Sequence, residues 1–134
     1  MFVIVLALIA SACASTPTVV PQPSAIAYSR TGGIAGFNDQ LTIDVNGKAT
    51  LTRRTGKFDF TLDDKTLKQI QTAFQTAGFA TVPEDSLPAR PVPDGFTYVV
   101  VYQGRTVRTG DTAIPEKLQP ILQMLNRIVD SGGK

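Results

Sequence analysis

The spacing of apolar residues in this chain changes from two to roughly 3.6 and back again, and any fold must satisfy both periods. After a short strand-like stretch at residues 25–30, Leu41, Ile43 and Val45 alternate with Thr42 and Asp44, which predicts a half-buried strand. Asn46-Gly47 follows, and both residues tolerate φ > 0, so the pair predicts a type I′ hairpin. The return strand covers 48–53, with Ala49 and Leu51 facing inward. Gly56 and Lys57 turn the chain again, and Phe58, Phe60 and Leu62 then alternate with Asp59 and Thr61. Here the period switches. Leu67, Ile70, Ala73, Phe74 and Ala77 fall at helical spacing, Asp63 or Asp64 is placed to cap the first turn, and Gly78 stops the helix.

Residues 82–95 contain Pro83, Pro88, Pro91 and Pro93 and read as a stiff loop. The run FTYVVVY at 96–102 is apolar on both faces, which predicts a strand inside a sheet, with Tyr98 and Tyr102 on one face in the core. Gln103-Gly104 is a tight turn, and 105–109 returns. Leu118, Ile121, Leu122, Leu125, Ile128 and Val129 form a second helical stripe. Pro115 and Pro120 oppose a regular helix, so we expect an irregular entry at 115–117 and regular helix from near Leu118. The order ββββαββα predicts an α+β fold: an antiparallel sheet of about five to six strands packed with two helices. Hairpin-then-helix occurs twice, but the halves are too dissimilar to be a repeat.

A chain of 134 residues holds one domain. It has no His and a single Cys, which excludes Ser-His-Asp and Cys-His catalysis, His-ligated zinc and an internal disulfide. With 13 Lys+Arg against 11 Asp+Glu, the net charge of +2 is too small for a nucleic-acid binder. Lys48, Arg53, Arg54, Lys57, Arg105 and Arg108 read as solvent-facing sheet residues. The adjacent pairs Asp63-Asp64 and Glu84-Asp85 point apart in any strand or helix, so neither is an acid/base couple. No convergent catalytic or metal set appears, and we expect no enzyme, cofactor or small-molecule substrate.

The N-terminus carries its own signal. Residues 2–10, FVIVLALIA, are nine apolar residues, too few to span about 30 Å of hydrocarbon but the length of a signal-peptide core. Ala10-Ser11-Ala12-Cys13 follows and resembles the lipobox of bacterial lipoproteins, although Ala10 stands where Leu is usual and no basic residue precedes the apolar run. The reading is a lipoprotein signal peptide at 1–12, a lipidated Cys13 and Pro-rich tether at 13–24, the domain at 25–130, and a frayed tail at 131–134. It places the protein in the bacterial cell envelope, lipid-anchored to a membrane and facing the periplasm or exterior.

Gly32, Gly33 and Gly36 crowd a short stretch that also holds Ile34, Ala35 and Phe37. A phosphate cradle is rejected, because a strand follows instead of a helix and no Lys is near. Two readings remain: a strained connection between the first two strands, or a projecting loop that offers backbone groups and the side chains of Ile34 and Phe37 to a partner.

The string RTGGIAG at 30–36, a capped helix leading to Gly78-Phe79 and Pro83, the string DGFTY at 94–98, and Pro115 before a Leu-rich last helix resemble an emfourin-type domain. Emfourins are the protealysin-associated inhibitors of thermolysin-like zinc metalloproteases. The resemblance covers nearly all of 25–129 and implies an inhibitor whose partner is an exported zinc metalloprotease. Lacking imidazole and a free thiol, such a chain would block the cleft sterically, with the Gly-rich loop lying in it and a backbone carbonyl able to approach the metal. Ile34, or else Phe37, would fill the apolar pocket that follows the scissile bond. A tight interface buries about 1,600 Å² in total, so a second contact is expected from the Pro-stiffened segment 87–94, which includes Arg90 and Asp94. The rival reading is an envelope lipoprotein that serves as a binding or scaffold module with no protease target.

Overall fold

The structure, a computed structural model, describes residues 25–132. The apolar run, Cys13 and the tether lie outside the described residues. The fold is α+β, a seven-stranded and mostly antiparallel sheet with two helices packed on one face. The strands are β1 (Ile26–Gly32), β2 (Phe37–Ile43), β3 (Lys48–Arg53), β4 (Gly56–Thr61), β5 (Asp85–Ser86), β6 (Phe96–Tyr102) and β7 (Arg105–Gly110). The helices are α1 (Asp64–Ala77), between β4 and β5, and α2 (Gln119–Ser131), after β7. Across the sheet the order is β4-β3-β2-β1-β6-β7-β5.

The extra strand comes from the Pro-rich segment. Asp85 and Ser86 pair in parallel with Arg108 and Thr109, so a stretch read as loop supplies one edge of the sheet. Strand β6 lies between β1 and β7, as its apolar run predicts. Its inner residues Tyr98, Val100 and Tyr102 are buried, while Thr97, Val99 and Val101 are half-buried on a face that no helix covers. The core therefore forms on one side only, where Ile26, Tyr28, Leu41, Ile43, Ala49, Leu51 and Val107 meet Ile70, Phe74 and the α2 stripe. Phe74 stacks on Tyr102 at 4.2 Å, with Phe79 edge-on to it at 5.1 Å.

Turn chemistry decides several details. Asp63, not Asp64, caps α1: its carboxylate accepts from the Thr66 N–H at 2.9 Å and from Thr66 Oγ1 at 2.7 Å. Asn46 keeps a negative φ and only Gly47 (φ 82°) is left-handed, so the turn after β2 is not type I′. It is a three-residue loop closed by Gly47 N–H to the Asp44 carbonyl at 3.1 Å, and the Asp44 carboxylate accepts from the N–H groups of Asn46 and Lys48. Val45 sits in that turn and is exposed, not inward. The primed geometry occurs instead at Gln103-Gly104, where φ is 50° and 74°. The β3–β4 turn falls at Arg54 and Thr55, two residues earlier than Gly56-Lys57. On the β4 edge Phe58 is exposed and Phe60 half-buried, because an edge strand covers a ring from one side only.

A 3-10 turn at Glu116–Leu118 provides the irregular entry to α2. Pro120 then occupies the first turn, where its missing N–H has no intrahelical partner to lose. The helix extends through Ser131, whose Oγ donates to the Ile128 carbonyl at 3.0 Å, and Gly132 caps it. Residues 131 and 132 are thus part of the fold and not of a frayed tail.

Candidate functional site

β1 and β2 are joined by a four-residue tip, Gly33 to Gly36, with Gly32 paired to Phe37 at its root. Ile34 stands at the summit and is 89% exposed, the most exposed large apolar residue described. Ala35 and Gly36 are exposed as well, and Phe37 is 42% exposed.

The root of the tip is fixed. Gly33 N–H donates to the Gly95 carbonyl at 3.3 Å, and Gly36 N–H to the Gly33 carbonyl at 3.0 Å. A Cβ on Gly32 would collide with the Gly95 carbonyl oxygen, and one on Gly33 would sit 2.7 Å from the Phe96 ring. The first two glycines therefore serve close packing against Gly95 and Phe96 at the start of β6. An aromatic series continues downward from the root. Phe37 packs on Phe96 at 5.6 Å, Phe96 on Tyr98 at 6.0 Å, and Tyr98 on Tyr28 at 6.4 Å. Tyr28 Oη donates to Asn126 Oδ1 at 2.6 Å and Tyr98 Oη to Asp111 Oδ1 at 2.7 Å. Burial pushes both phenols well above their ordinary pKa, and for Tyr98 the bond to Asp111 adds to the rise.

Arg30 organises this root. Its guanidinium lies 5.5 Å from the centroids of both the Phe37 and Phe96 rings. Nη2 reaches Asp39 Oδ2 at 2.7 Å and Asp130 Oδ1 at 2.9 Å, and Nη1 reaches Asn126 Oδ1 at 3.2 Å. Burial pulls the Arg30 pKa down, but the hydrogen bonds to Asp39 and Asp130 outweigh it, and the net shift is upward. Arg53 Nε approaches the other oxygen of Asp39 at 3.4 Å. Arg30 and Asp39 had no assigned role in the sequence reading, because nothing local marks a residue that pairs with the strand opposite. Arg53 was read as solvent-facing; it is only partly exposed and joins this cluster.

Arg54 is the other contributor that spacing did not reveal. From the β3–β4 turn its Nη1 donates to the Ala35 carbonyl at 2.8 Å. Of the tip carbonyls, Gly33 and Ala35 are thereby engaged, while that of Ile34 accepts no hydrogen bond among the described residues. Below the tip an open cleft of about 540 Å³ is lined by Phe37, Asp39, Arg53, Arg54 and Asp130.

The second expected contact lies at the same end of the sheet. Leu87 and Val92 are 42% and 40% exposed, and the Gly95 contact ties their segment to the tip. Asp94 is exposed with φ 59°, and Arg90 is exposed with no hydrogen bond or ion pair among the described residues. Asp94 does not cap the entry of β6; Asp111 does, through Oδ2 to the Phe96 N–H at 2.7 Å. Among the described residues no group of three or more Cys, Asp or Glu is placed to hold a metal ion. No helix of the described part is long and apolar enough to cross a membrane. No family model matches the chain, and no curated protein matches it significantly.

Proposed function

We propose that this chain is an emfourin-like inhibitor of a thermolysin-like zinc metalloprotease, carried on an envelope lipoprotein, and that the tip at 33–36 enters the protease cleft. The observation that carries the reading is Ile34, almost wholly exposed on a tip whose root is braced against the core. An apolar side chain held clear of the fold on a rigid base loses little freedom when it enters a pocket. Phe37, Leu87 and Val92 extend the apolar surface beside it, in keeping with an interface larger than one tip. Of the four tip carbonyls, those of Ile34 and Gly36 are left to approach a metal, since those of Gly33 and Ala35 already accept hydrogen bonds. Lipidation of Cys13 would hold the domain at the membrane.

Titration of residues 25–134 against a thermolysin-like protease tests the reading. Peptide hydrolysis should slow at micromolar domain, and Ile34→Asp should abolish the effect without moving the thermal midpoint. Unimpeded hydrolysis would remove inhibition from the account. A second reading is an envelope binding or scaffold module with no protease target, for which the exposed Leu87 and Val92 would serve equally well. It predicts capture of an envelope component and no change in proteolysis.

A further inference from the structure

The outer surfaces of α1 and α2 leave an open groove of about 930 Å³ between them. Its floor includes Ala73 and Met124, both half-buried. Its walls carry Lys65 and Lys68 from α1, Lys117 from the 3-10 turn and Arg127 from α2, and no carboxylate lines it. None of these four cations forms an ion pair among the described residues. Lys117 Nζ donates only to Thr81 Oγ1 at 3.0 Å, and Arg127 Nε only to the Gln123 carbonyl at 3.4 Å. Asp130, three residues after Arg127, is turned away to Arg30. The uncovered face of the sheet is different, for there Lys57 meets Asp59 and Arg108 meets Asp85. Two cations on the sheet thus have a carboxylate within reach, whereas none of the four in the groove does.

The chain enters the fold in the sheet that packs beneath these helices. Ile26 pairs with Tyr102, whose ring stacks on Phe74 of α1. We propose that the groove docks on the anionic headgroups of a lipid surface, its four cations pairing with phosphates. The proposal rests on the lipid-anchored part of the function proposed above, which would hold the domain near a membrane. The cations add their attractions at such a surface, and salt screens them over about 8 Å at physiological ionic strength.

The full chain, bound to vesicles of phosphatidylcholine alone or with phosphatidylglycerol added, provides the test. Amine acetylation is read at Lys65, Lys68 and Lys117, with Lys48 and Lys57 on the sheet as internal references. Phosphatidylglycerol should protect the three groove lysines several-fold, reversibly with high salt, and leave the two references unchanged. Lys65→Glu with Lys68→Glu, both exposed, should abolish that protection at Lys117 without lowering the thermal midpoint. Equal reactivity on both vesicles by a chain that stays bound would overturn the docking and spare the anchor. Failure to bind phosphatidylcholine vesicles would sink the anchor instead, while protection by phosphatidylglycerol vesicles would still support the groove. Protection by polyglutamate but not by phosphatidylglycerol would assign the groove to an acidic protein and overturn the lipid proposal.

Discussion

Arg30 and Asp39 face each other across β1 and β2, and their side chains meet at 2.7 Å beneath two phenylalanine rings. Both are nearly sealed from solvent, so the pair belongs to the core, although it lies at the root of the exposed tip. Removing Asp39 takes from Arg30 its buried carboxylate, leaving it only the exposed Asp130 and Asn126, and takes from Arg53 the one carboxylate it reaches among the described residues. Asp39→Ala should therefore cost about 3 kcal/mol, enough to lower the thermal midpoint by roughly 10 °C or more. Asp130→Ala removes the exposed partner and should cost less than about 1 kcal/mol. Equal losses in the two variants would contradict this division of roles.

Gly32→Ala forces a Cβ against the Gly95 carbonyl at a φ of 114°, and should destabilise by more than about 1 kcal/mol. Ile34→Ala removes a side chain that touches little, and should stay within about 0.5 kcal/mol. Denaturant titration separates the two. A stable Gly32→Ala variant would mean that the tip can part from the segment before β6.

Arg54→Ala frees the Ala35 carbonyl and loosens the tip without opening the core, since Arg54 is exposed. If the tip binds a protease, inhibition should weaken severalfold through faster dissociation while the midpoint holds. Unchanged inhibition would show that the Arg54 contact does not set the bound shape.

Tyr28 and Tyr98 have pKa values raised above those of the unfolded chain. The stability they contribute is fully present below about pH 10 and is lost as pH rises from there toward their folded values. Both phenols should ionise together with unfolding in an alkaline titration followed by tyrosinate absorbance. Ionisation of Tyr28 in a chain that keeps its near-UV circular dichroism would refute the coupling.

Most of the fold was legible because the two periods are strong. The inward sets Leu41/Ile43, Ala49/Leu51 and Ile121/Leu125/Ile128 are buried as their spacing required. Asp85-Ser86 was missed because a two-residue strand leaves no periodicity to read. Asn46-Gly47 misled because its backbone is decided by Asp44, whose carboxylate ties two N–H groups and lengthens the loop. At the site, the glycine-rich composition left a strained connection and a projecting loop both open; the structure shows Ile34 exposed, and neither that nor the brace could be read from spacing. Arg54 and Ala35 are 19 residues apart, and Arg30 meets Asn126 over 96, distances that no local pattern encodes.

One uninterrupted strand connects the place where the chain enters the fold to the tip. β1 runs from Ile26, opposite Tyr102, to Gly32, opposite Phe96, and is laddered on both sides by β2 and β6. Seven residues at about 3.3 Å each make a strut of about 20 Å. Tension applied to the chain before Ala25 would load both ladders lengthwise, in shear, so that their bonds resist together instead of peeling one by one. The tip cannot retract independently: it advances, tilts and recoils with the whole sheet as a single lever.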